Sequence, residues 1–167
     1  LGADNSDNDF HQLSANLYQS FDMGNLGRSS YWANGGTFLG GDDISFVDFQ
    51  HFNGNRLRYK LQALNPYGFG LLNYYDYSTN GDYAQFHLQH DFKGFILGKI
   101  PGLNQLNYDL ILSGKALFTE RKPYFETSAG IDNIGFGKFR PFRVDYVYSM
   151  TSDRSYGAYV VGINFWL

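Results

Sequence analysis

Polar and apolar residues alternate over long stretches in the second half of the chain. A β-strand sends successive side chains to opposite faces, so strict alternation predicts a strand with one apolar and one polar face. The stretch FRPFRVDYVYSM, residues 139–150, is the clearest case, because Arg143 and Asp145 interrupt a row of apolar residues. That row consists of Phe142, Val144, Tyr146, Tyr148 and Met150.

The same pattern predicts five strands in the second half, at about 82–92, 107–118, 122–133, 139–150 and 157–167. In the first half, 13–23 and 29–40 alternate well enough for strands, whereas 41–66 do not alternate and predict a long loop. Residues 67–77 fit either a strand or a loop. Residues 93–106, 119–122, 133–138 and 151–156 are expected to be connectors. No repeat or linker divides residues 1–167, which predicts one domain.

The length of the alternating runs distinguishes two fold classes. They last about nine to twelve residues, whereas strands of water-soluble proteins usually have about 5–6 and tilted membrane strands need about 9–11. The favoured fold is therefore an all-β transmembrane antiparallel β-barrel, with apolar rows facing lipid and polar rows facing the lumen. The alternative is a large soluble β-sandwich whose apolar rows meet in a dry core.

Composition agrees with strands and narrows the partners. Aromatic residues make up 19% of the chain and glycine contributes 20 residues, which favours strands over helices. A net charge of −3 argues against a nucleic-acid partner. The absence of cysteine excludes disulfides and thiolate metal sites within this sequence. The mean hydropathy of −0.36 is compatible with a barrel, because half of each strand faces a polar interior.

Four stretches, FVDFQHFNGN, HDFKGFILGKIPGLNQL, KPYFETSAGIDNI and FRPFRVDYV, resemble a family of bacterial outer-membrane barrels without a settled function. Its members carry an N-terminal carboxypeptidase-like regulatory domain, and the resemblance covers most of residues 40–167. It implies a location in the outer membrane of a Gram-negative bacterium. It also implies contact with outer-membrane lipid and with other outer-membrane or periplasmic proteins.

A wider likeness is to the C-terminal end of BamA-type assembly barrels. It implies the last part of a sixteen-stranded barrel, with residues 41–80 folded inward as a loop before the last five strands, about 82–167. In place of the Arg-Gly motif at the tip of that loop, this chain has His51, Phe52, Asn53, Gly54 and Asn55, followed by Arg56. The final Phe165, Trp166 and Leu167 resemble the aromatic ending that the membrane-insertion machinery recognises.

The number of predicted strands raises the question of closure. Seven or eight strands are too few for a sixteen-stranded barrel, and an open sheet edge has no hydrogen-bond partners in lipid. Either further strands lie outside this sequence or the barrel closes with eight. The loop-like composition of residues 1–12 favours the first alternative.

Charged residues on the predicted lumen face are the candidate site. Arg143 and Asp145 lie two positions apart on one face, about 7 Å along the strand. They are expected either to form an ion-pair network with Glu126 or Asp132, or to dock the inward loop. In the docking hypothesis, Arg56 meets Asp145 or Glu126 and locks the loop.

No catalytic, metal or cofactor site is predicted. His87 and His90 point to opposite faces of one strand and cannot share a metal ion, and His51 is expected to be a polar packing residue. Ser113, Ser128 and His87 share the polar face, but no catalytic triad or nucleophile-elbow spacing accompanies them.

The predicted function is therefore a non-enzymatic barrel, structural or accessory in outer-membrane protein biogenesis, transport or surface export. Its lumen would be blocked by residues 41–80. One alternative is a small transporter or porin-like pore with that loop outside the lumen. The other is the soluble β-sandwich, acting as a binding module.

Overall fold

The computed structural model describes residues 10–40, 44–55, 59–61 and 67–163. Within these ranges the chain forms strands and short 3-10 turns, and it contains no α-helix. The strands are β1 His11–Asp22, β2 Arg28–Leu39, β3 Tyr59–Leu61, β4 Tyr83–Asp91, β5 Asp109–Phe118, β6 Tyr124–Phe136, β7 Phe139–Met150 and β8 Ser155–Ile163. The all-β prediction is confirmed.

The strands form one open sheet in the order β1-β2-β4-β5-β6-β7-β8-β3. All neighbours are antiparallel except the short β3, which runs parallel to β8 along the edge that β8 would otherwise present. The loop between β2 and β4 thus supplies a strand to the far side of the sheet. At the opposite edge, β1 pairs with β2 alone among the described strands.

The sheet has two faces of opposite character. One face carries Gln85, Lys115, Glu126, Arg143 and the side chains in register with them, and we call it the inner face. Its buried residues include polar and charged side chains as well as apolar ones. The outer face carries the exposed apolar positions, among them Phe86, Leu88, Leu112, Phe118, Phe125, Phe142, Val144, Tyr146, Tyr148, Met150 and Tyr159.

Two predicted connectors differ from the structure. Residues 133–138 were expected to link two strands, but β6 continues to Phe136 and only Gly137 and Lys138 form the turn to β7. The glycine-rich sequence reflects a bulge instead, because the pairing shifts between Ile131 and Phe136 and Asn133 has a positive φ of 61°.

The prediction of a loop over residues 41–66 was wrong at one point, because this region contains β3 at Tyr59–Leu61. Three residues are too few to show alternation. Residues 67–77, which fitted either element, form turns and irregular structure. The connector 92–108 contains two short 3-10 turns. The described part of the chain holds no helix with the length and apolarity that spanning a membrane would require.

Candidate functional site

A buried carboxylate on the inner face holds the backbone of the β2–β4 loop. Glu126, on β6, is 1% exposed. Its two oxygens each accept a hydrogen bond of 2.7 Å from a loop amide, one from Gly70 N–H and the other from Leu71 N–H. The hydroxyl of Tyr124 donates a third hydrogen bond of 2.5 Å. The Glu126 carboxylate is therefore hydrogen-bonded largely by main-chain donors of the loop, as a buried charged group requires.

Two further side chains hold the same stretch of backbone. Lys115, on β5, donates a 2.6 Å hydrogen bond to Gly68 O, and its ammonium lies 4.0 Å from Glu126. Tyr156, on β8, donates a 2.8 Å hydrogen bond to Leu71 O. Three strands thus contact residues 68–71 through main-chain groups. We call Lys115, Tyr124, Glu126 and Tyr156 the docking cluster.

Apolar side chains of the loop fill the space around the docking cluster. Phe69, which is 1% exposed, lies between the rings of His87 and Tyr124 at centroid distances of 4.8 and 5.5 Å. Phe69 and Leu72 belong to one buried apolar cluster, which also contains Phe52, Tyr83, Leu117 and Tyr124. Leu71 packs with Val147, Ala158 and Val160 on the other side. Each such burial stabilises the docked loop by roughly 1.5–3 kcal/mol.

The loop also reaches the first strands of the sheet. Tyr67 stacks on Trp32 of β2 with ring centroids 5.2 Å apart and meets Tyr18 of β1 edge-on. Burial raises the pKa of the Tyr67 hydroxyl above its ordinary value. Contacts from β2 across to β8 therefore place the loop over much of the inner face.

The residues expected at the loop tip, 51–55, instead lie beside residues 69–72 of the same loop and hydrogen-bond to them. Asn53 O accepts a 2.8 Å hydrogen bond from Phe69 N–H, and Asn55 N–H donates one of 2.6 Å to Leu72 O. Gly54 is required between them, because a Cβ there would lie 2.5 Å from Leu72 O. His51 lies 2.7 Å from Ser78 Oγ, and Phe52 packs on Tyr83. Gly70 and Leu71, rather than residues 51–55, contact the Glu126 carboxylate on the inner face.

Arg143 and Asp145 form a pair along one strand. The guanidinium donates hydrogen bonds of 2.8 and 2.6 Å to the two carboxylate oxygens, and both residues are buried. Pairing with Glu126 was one of the expected arrangements, but the amides of the loop occupy that carboxylate. Gly130, opposite on β6, leaves room for the pair, because a Cβ there would overlap the Asp145 carboxylate. Gln89 also accepts a long hydrogen bond of 3.4 Å from Arg143.

Several predicted residues lie outside the described part of the chain, namely Arg56, Phe165, Trp166 and Leu167. Conversely, the sequence interpretation missed Tyr124, Tyr156 and Gly70. Alternation had placed Lys115 on the polar face, but it gave no sign that a loop backbone would be its partner. Main-chain recognition leaves no sequence motif, so only the structure identifies these contacts.

The histidine and serine side chains form no recognisable catalytic arrangement in the described residues. Ser113 and Ser128 hydrogen-bond each other at 2.6 Å. His90 lies on the outer face, with Nδ1 at 2.7 Å from Ser29 Oγ and Nε2 at 3.0 Å from Leu26 O. The carbonyl makes Nε2 the protonated nitrogen, so His90 joins the turn Gly24–Leu26 to β2 and β4. Among the described residues no group of three His, Asp or Glu side chains could hold a metal ion.

A cleft of about 550 Å³ opens beside the docked loop, between the turns β5–β6 and β7–β8. Its lining includes Tyr77, Arg121, Lys122, Asp153 and Arg154. Burial raises the pKa of the Tyr77 hydroxyl, whereas the nearby Lys122 ammonium lowers the pKa of Asp153. The cleft is polar and mixed in charge, so its chemistry favours no single ligand class.

Comparison with known families places these features in context. A model described as "Family of unknown function (DUF5686) C-terminal domain" matches residues 1–131. The chain belongs to this family. No curated protein and no solved structure matches it.

The family match agrees with the resemblance to the C-terminal part of a family without a settled function. It includes the stretches 46–55 and 90–106, ends within 122–134 and stops before 139–147. It contains no information on a carboxypeptidase-like N-terminal domain or on BamA-type barrels, so both of those resemblances stay predictions.

Proposed function

We propose that this chain is part of the wall of an outer-membrane β-barrel whose lumen is blocked by its own β2–β4 loop. The observation that carries the proposal is the distribution of side chains on the sheet. Polar and charged side chains are buried on one face, while aromatic and aliphatic side chains are exposed on the other. Such a distribution is unfavourable in water but favourable when the outer face meets hydrocarbon.

The outer face is the main argument for lipid over a soluble sandwich. From β4 to β8, its described positions include no Asp, Glu or Lys, and Arg140 at the start of β7 is the only Arg. A sandwich would need a second sheet to cover this face, whereas the described sheet has its layer of loop on the opposite, polar side. The exposed ring of Tyr148, near the end of β7, suits the interfacial aromatic belt of a membrane barrel.

The docked loop favours a closed lumen over a pore. Glu126 and Lys115 satisfy their charges with loop backbone, and Phe69 and Leu72 are buried against the wall. Undocking would expose these apolar side chains and leave the loop amides without their carboxylate partner. We therefore place the loop inside the barrel. A porin-like function would require the loop to lie outside the lumen.

The rest of the barrel is also part of the proposal. The edge of β1 has no partner among the described strands and would need one in lipid. We therefore infer that further strands of a larger barrel, of the sixteen-stranded kind, complete the wall. The role consistent with a plugged wall is non-enzymatic: a structural or accessory component of outer-membrane protein biogenesis, transport or surface export, with outer-membrane lipid and neighbouring envelope proteins as partners.

Single-channel conductance of the intact natural protein in planar bilayers tests this function. The unaltered protein should be nearly silent, and Glu126→Ala should raise the conductance and the frequency of openings because the loop loses its main anchor. Glu120→Ala is the matched control, since Glu120 is the chain's only other glutamate and lies exposed in the β5–β6 turn. It should remain as silent as the unaltered protein.

Two results would contradict the proposal. A large steady conductance of the unaltered protein would favour the porin-like alternative. Recovery of most of the protein in the aqueous fraction after membrane extraction would favour the soluble sandwich.

A further inference from the structure

The two ends of the sheet differ in the chemistry of their connectors. At one end lie the connectors 23–27 and 92–108 and residues 133–140, which comprise the end of β6, the turn and the start of β7. We call these three segments the apolar end. These segments contain Lys93, Lys99, Lys138 and Arg140, and the strand residues that flank them include Asp22, Asp91, Asp109 and Asp132. At the other end, the turns 119–123 and 151–154, which we call the polar end, carry both signs of charge. The β2–β4 loop also emerges there and exposes Phe46, Val47, Tyr74 and Tyr75, but these residues do not belong to the two turns. The contrast is too extended to reflect a single turn.

Large apolar side chains at the apolar end are exposed. Leu26, Ile100, Leu103 and Leu106 are each between 37% and 46% exposed, and Phe136 at the β6–β7 turn reaches 93%. A connector that merely links two strands in water is normally polar. This much apolar surface on neighbouring segments indicates an apolar or amphipathic partner.

The long connector is held in place and does not simply extend into solvent. Near its end, Arg140 donates a hydrogen bond to Leu106 O, and Asn133 Nδ2 donates one of 2.6 Å to Asn107 O. At its start, Lys93 pairs with Asp22 at 2.9 Å. The ammonium of Lys99 lies 3.6 Å from the centre of the Phe95 ring. The exposed side chains are therefore presented from an ordered segment.

The position of Arg140 places this segment beside the outer face. Arg140 shares its side of β7 with Phe142 and Val144, which belong to the exposed apolar row. Since its guanidinium contacts Leu106 O, the end of the connector lies next to the outer wall and not over the inner face. The apolar surface of the connector thus continues the apolar surface of the strands.

We infer that the apolar end lies in the headgroup–acyl boundary of a phospholipid leaflet, with Lys99 and Lys138 on lipid phosphates. The inference rests on the proposed membrane location. Two observations select lipid over a protein partner: the exposed apolar side chains continue the apolar outer face, and Lys99 and Lys138 form no ion pair with another described residue. Apolar side chains flanked by Lys and Arg are typical of interfacial segments, and anionic phospholipid adds electrostatic attraction. The polar end has neither property and faces water.

Depth-dependent fluorescence quenching tests this placement in the intact protein. This chain contains no cysteine, so single cysteines can be introduced by Leu103→Cys, Val144→Cys and Ser152→Cys after any cysteine elsewhere in the protein is replaced. Each is labelled with an environment-sensitive dye. The protein is then reconstituted in vesicles of phosphatidylethanolamine and phosphatidylglycerol that carry a quencher either near the headgroups or deep in the acyl chains.

The three positions separate this inference from the proposed function. We expect the Leu103 label to be quenched mainly by the shallow quencher, the Val144 label by the deep quencher, and the Ser152 label by neither. If Val144 is quenched while Leu103 behaves like Ser152, the interfacial placement is wrong and the barrel stands. If Val144 also escapes quenching, the membrane location itself fails.

A charge variant tests the role of the cations. Combining Lys99→Glu with Lys138→Glu should reduce the quenching of the Leu103 label roughly twofold or more, because each cation near an anionic surface contributes to attachment. The Val144 label should not change. Equal quenching before and after the substitution would overturn the proposed contact with phosphates.

Discussion

The two faces of β7 bring opposite chemistry into opposite environments. On the inner face, Arg143 and Asp145 are 4% and 7% exposed. On the outer face, their neighbours Val144 and Tyr146 are 36% and 45% exposed. A water-soluble strand would show the reverse, since charges favour water and apolar groups favour the interior. The difference lies in what covers each face and not in the strand itself.

The comparison also explains why bulk properties are uninformative for this chain. The mean hydropathy of −0.36 averages one face with the other and resembles that of a soluble protein. The inner face includes groups that bind the loop backbone and a buried ion pair, and the loop covers these groups. The outer face is suited to a medium that needs no hydrogen bonds. Substitutions that exchange these properties should therefore have unequal effects.

The largest effect is expected from Asp145→Ala. The substitution leaves the Arg143 guanidinium buried without its carboxylate, which typically costs about 3–5 kcal/mol of stability. Unfolding by denaturant in detergent micelles, followed by tryptophan fluorescence, measures the loss. A small effect would mean that water reaches the inner face and solvates the charge.

Two variants sharpen that experiment. Asp82→Ala removes an exposed carboxylate just before β4 and should change stability little. The double substitution Arg143→Met with Asp145→Leu removes both charges, so it should recover most of the stability that Asp145→Ala loses. Failure of the double variant to recover would argue that the pair specifies the fold and does not merely balance charge.

Val144→Arg should have the next largest effect. It places a charge near the centre of β7 on the outer face, and such a change costs about 2–4 kcal/mol when the position faces the middle of a bilayer. The fraction of protein that folds into lipid vesicles, read from heat-modifiable electrophoretic mobility, measures it. Ser152→Arg, on the polar β7–β8 turn, should fold as efficiently as the unaltered chain.

The same variant separates the two possible surroundings of the outer face. An arginine at an exposed position of a soluble sheet usually changes stability by less than about 0.5 kcal/mol. Normal folding of Val144→Arg would therefore place the outer face in water.

Alternation was sufficient to predict most of the sheet, and the reason is geometric. Each long strand has two distinct faces, so the period of two is visible in the sequence of β4, β5, β7 and β8. The bounds of β7, residues 139–150, agree with the structure. The interpretation was least accurate where periodicity is interrupted, as in β6, whose bulge near Asn133 resembles a loop, and in the three-residue β3.

The site was less predictable than the fold. The sequence placed Glu126 on the correct face, but its partners are the backbone amides of Gly70 and Leu71, which any residue except proline could supply. Arg143 was expected to seek a charge on a neighbouring strand, yet an extended arginine side chain reaches along its own strand to Asp145. Side-chain identity predicts neither contact, because both depend on the path of the backbone.

A smaller effect is expected from Tyr156→Phe. The substitution removes the hydrogen bond from the Tyr156 hydroxyl to Leu71 O, for an expected loss of about 0.5–1.5 kcal/mol. Faster hydrogen exchange at the amides of Gly70 and Leu71 would reveal the looser loop. Tyr159→Phe is the matched control, because that ring lies on the outer face of the same strand, and exchange at these two amides should not change. Equal exchange in both variants would remove Tyr156 from the docking cluster.

The smallest effect is a pH dependence at the polar end. Lys122 lies 2.6 Å from the Asp153 carboxylate and, mainly through this hydrogen bond, holds its pKa below the ordinary value of 3.8. A lowered pKa means that the folded state favours the ionised carboxylate, so the contribution is present above pH 3.8 and is lost as the pH falls through the lower, folded value. The stability difference between the unaltered protein and Asp153→Asn should therefore be small at neutral pH and vanish on acidification. Added salt should also reduce it, because both side chains are exposed to water. A difference that does not respond to added salt would show that the pair is shielded from solvent, and the contrast between a wet polar end and a lipid-facing apolar end would then fail.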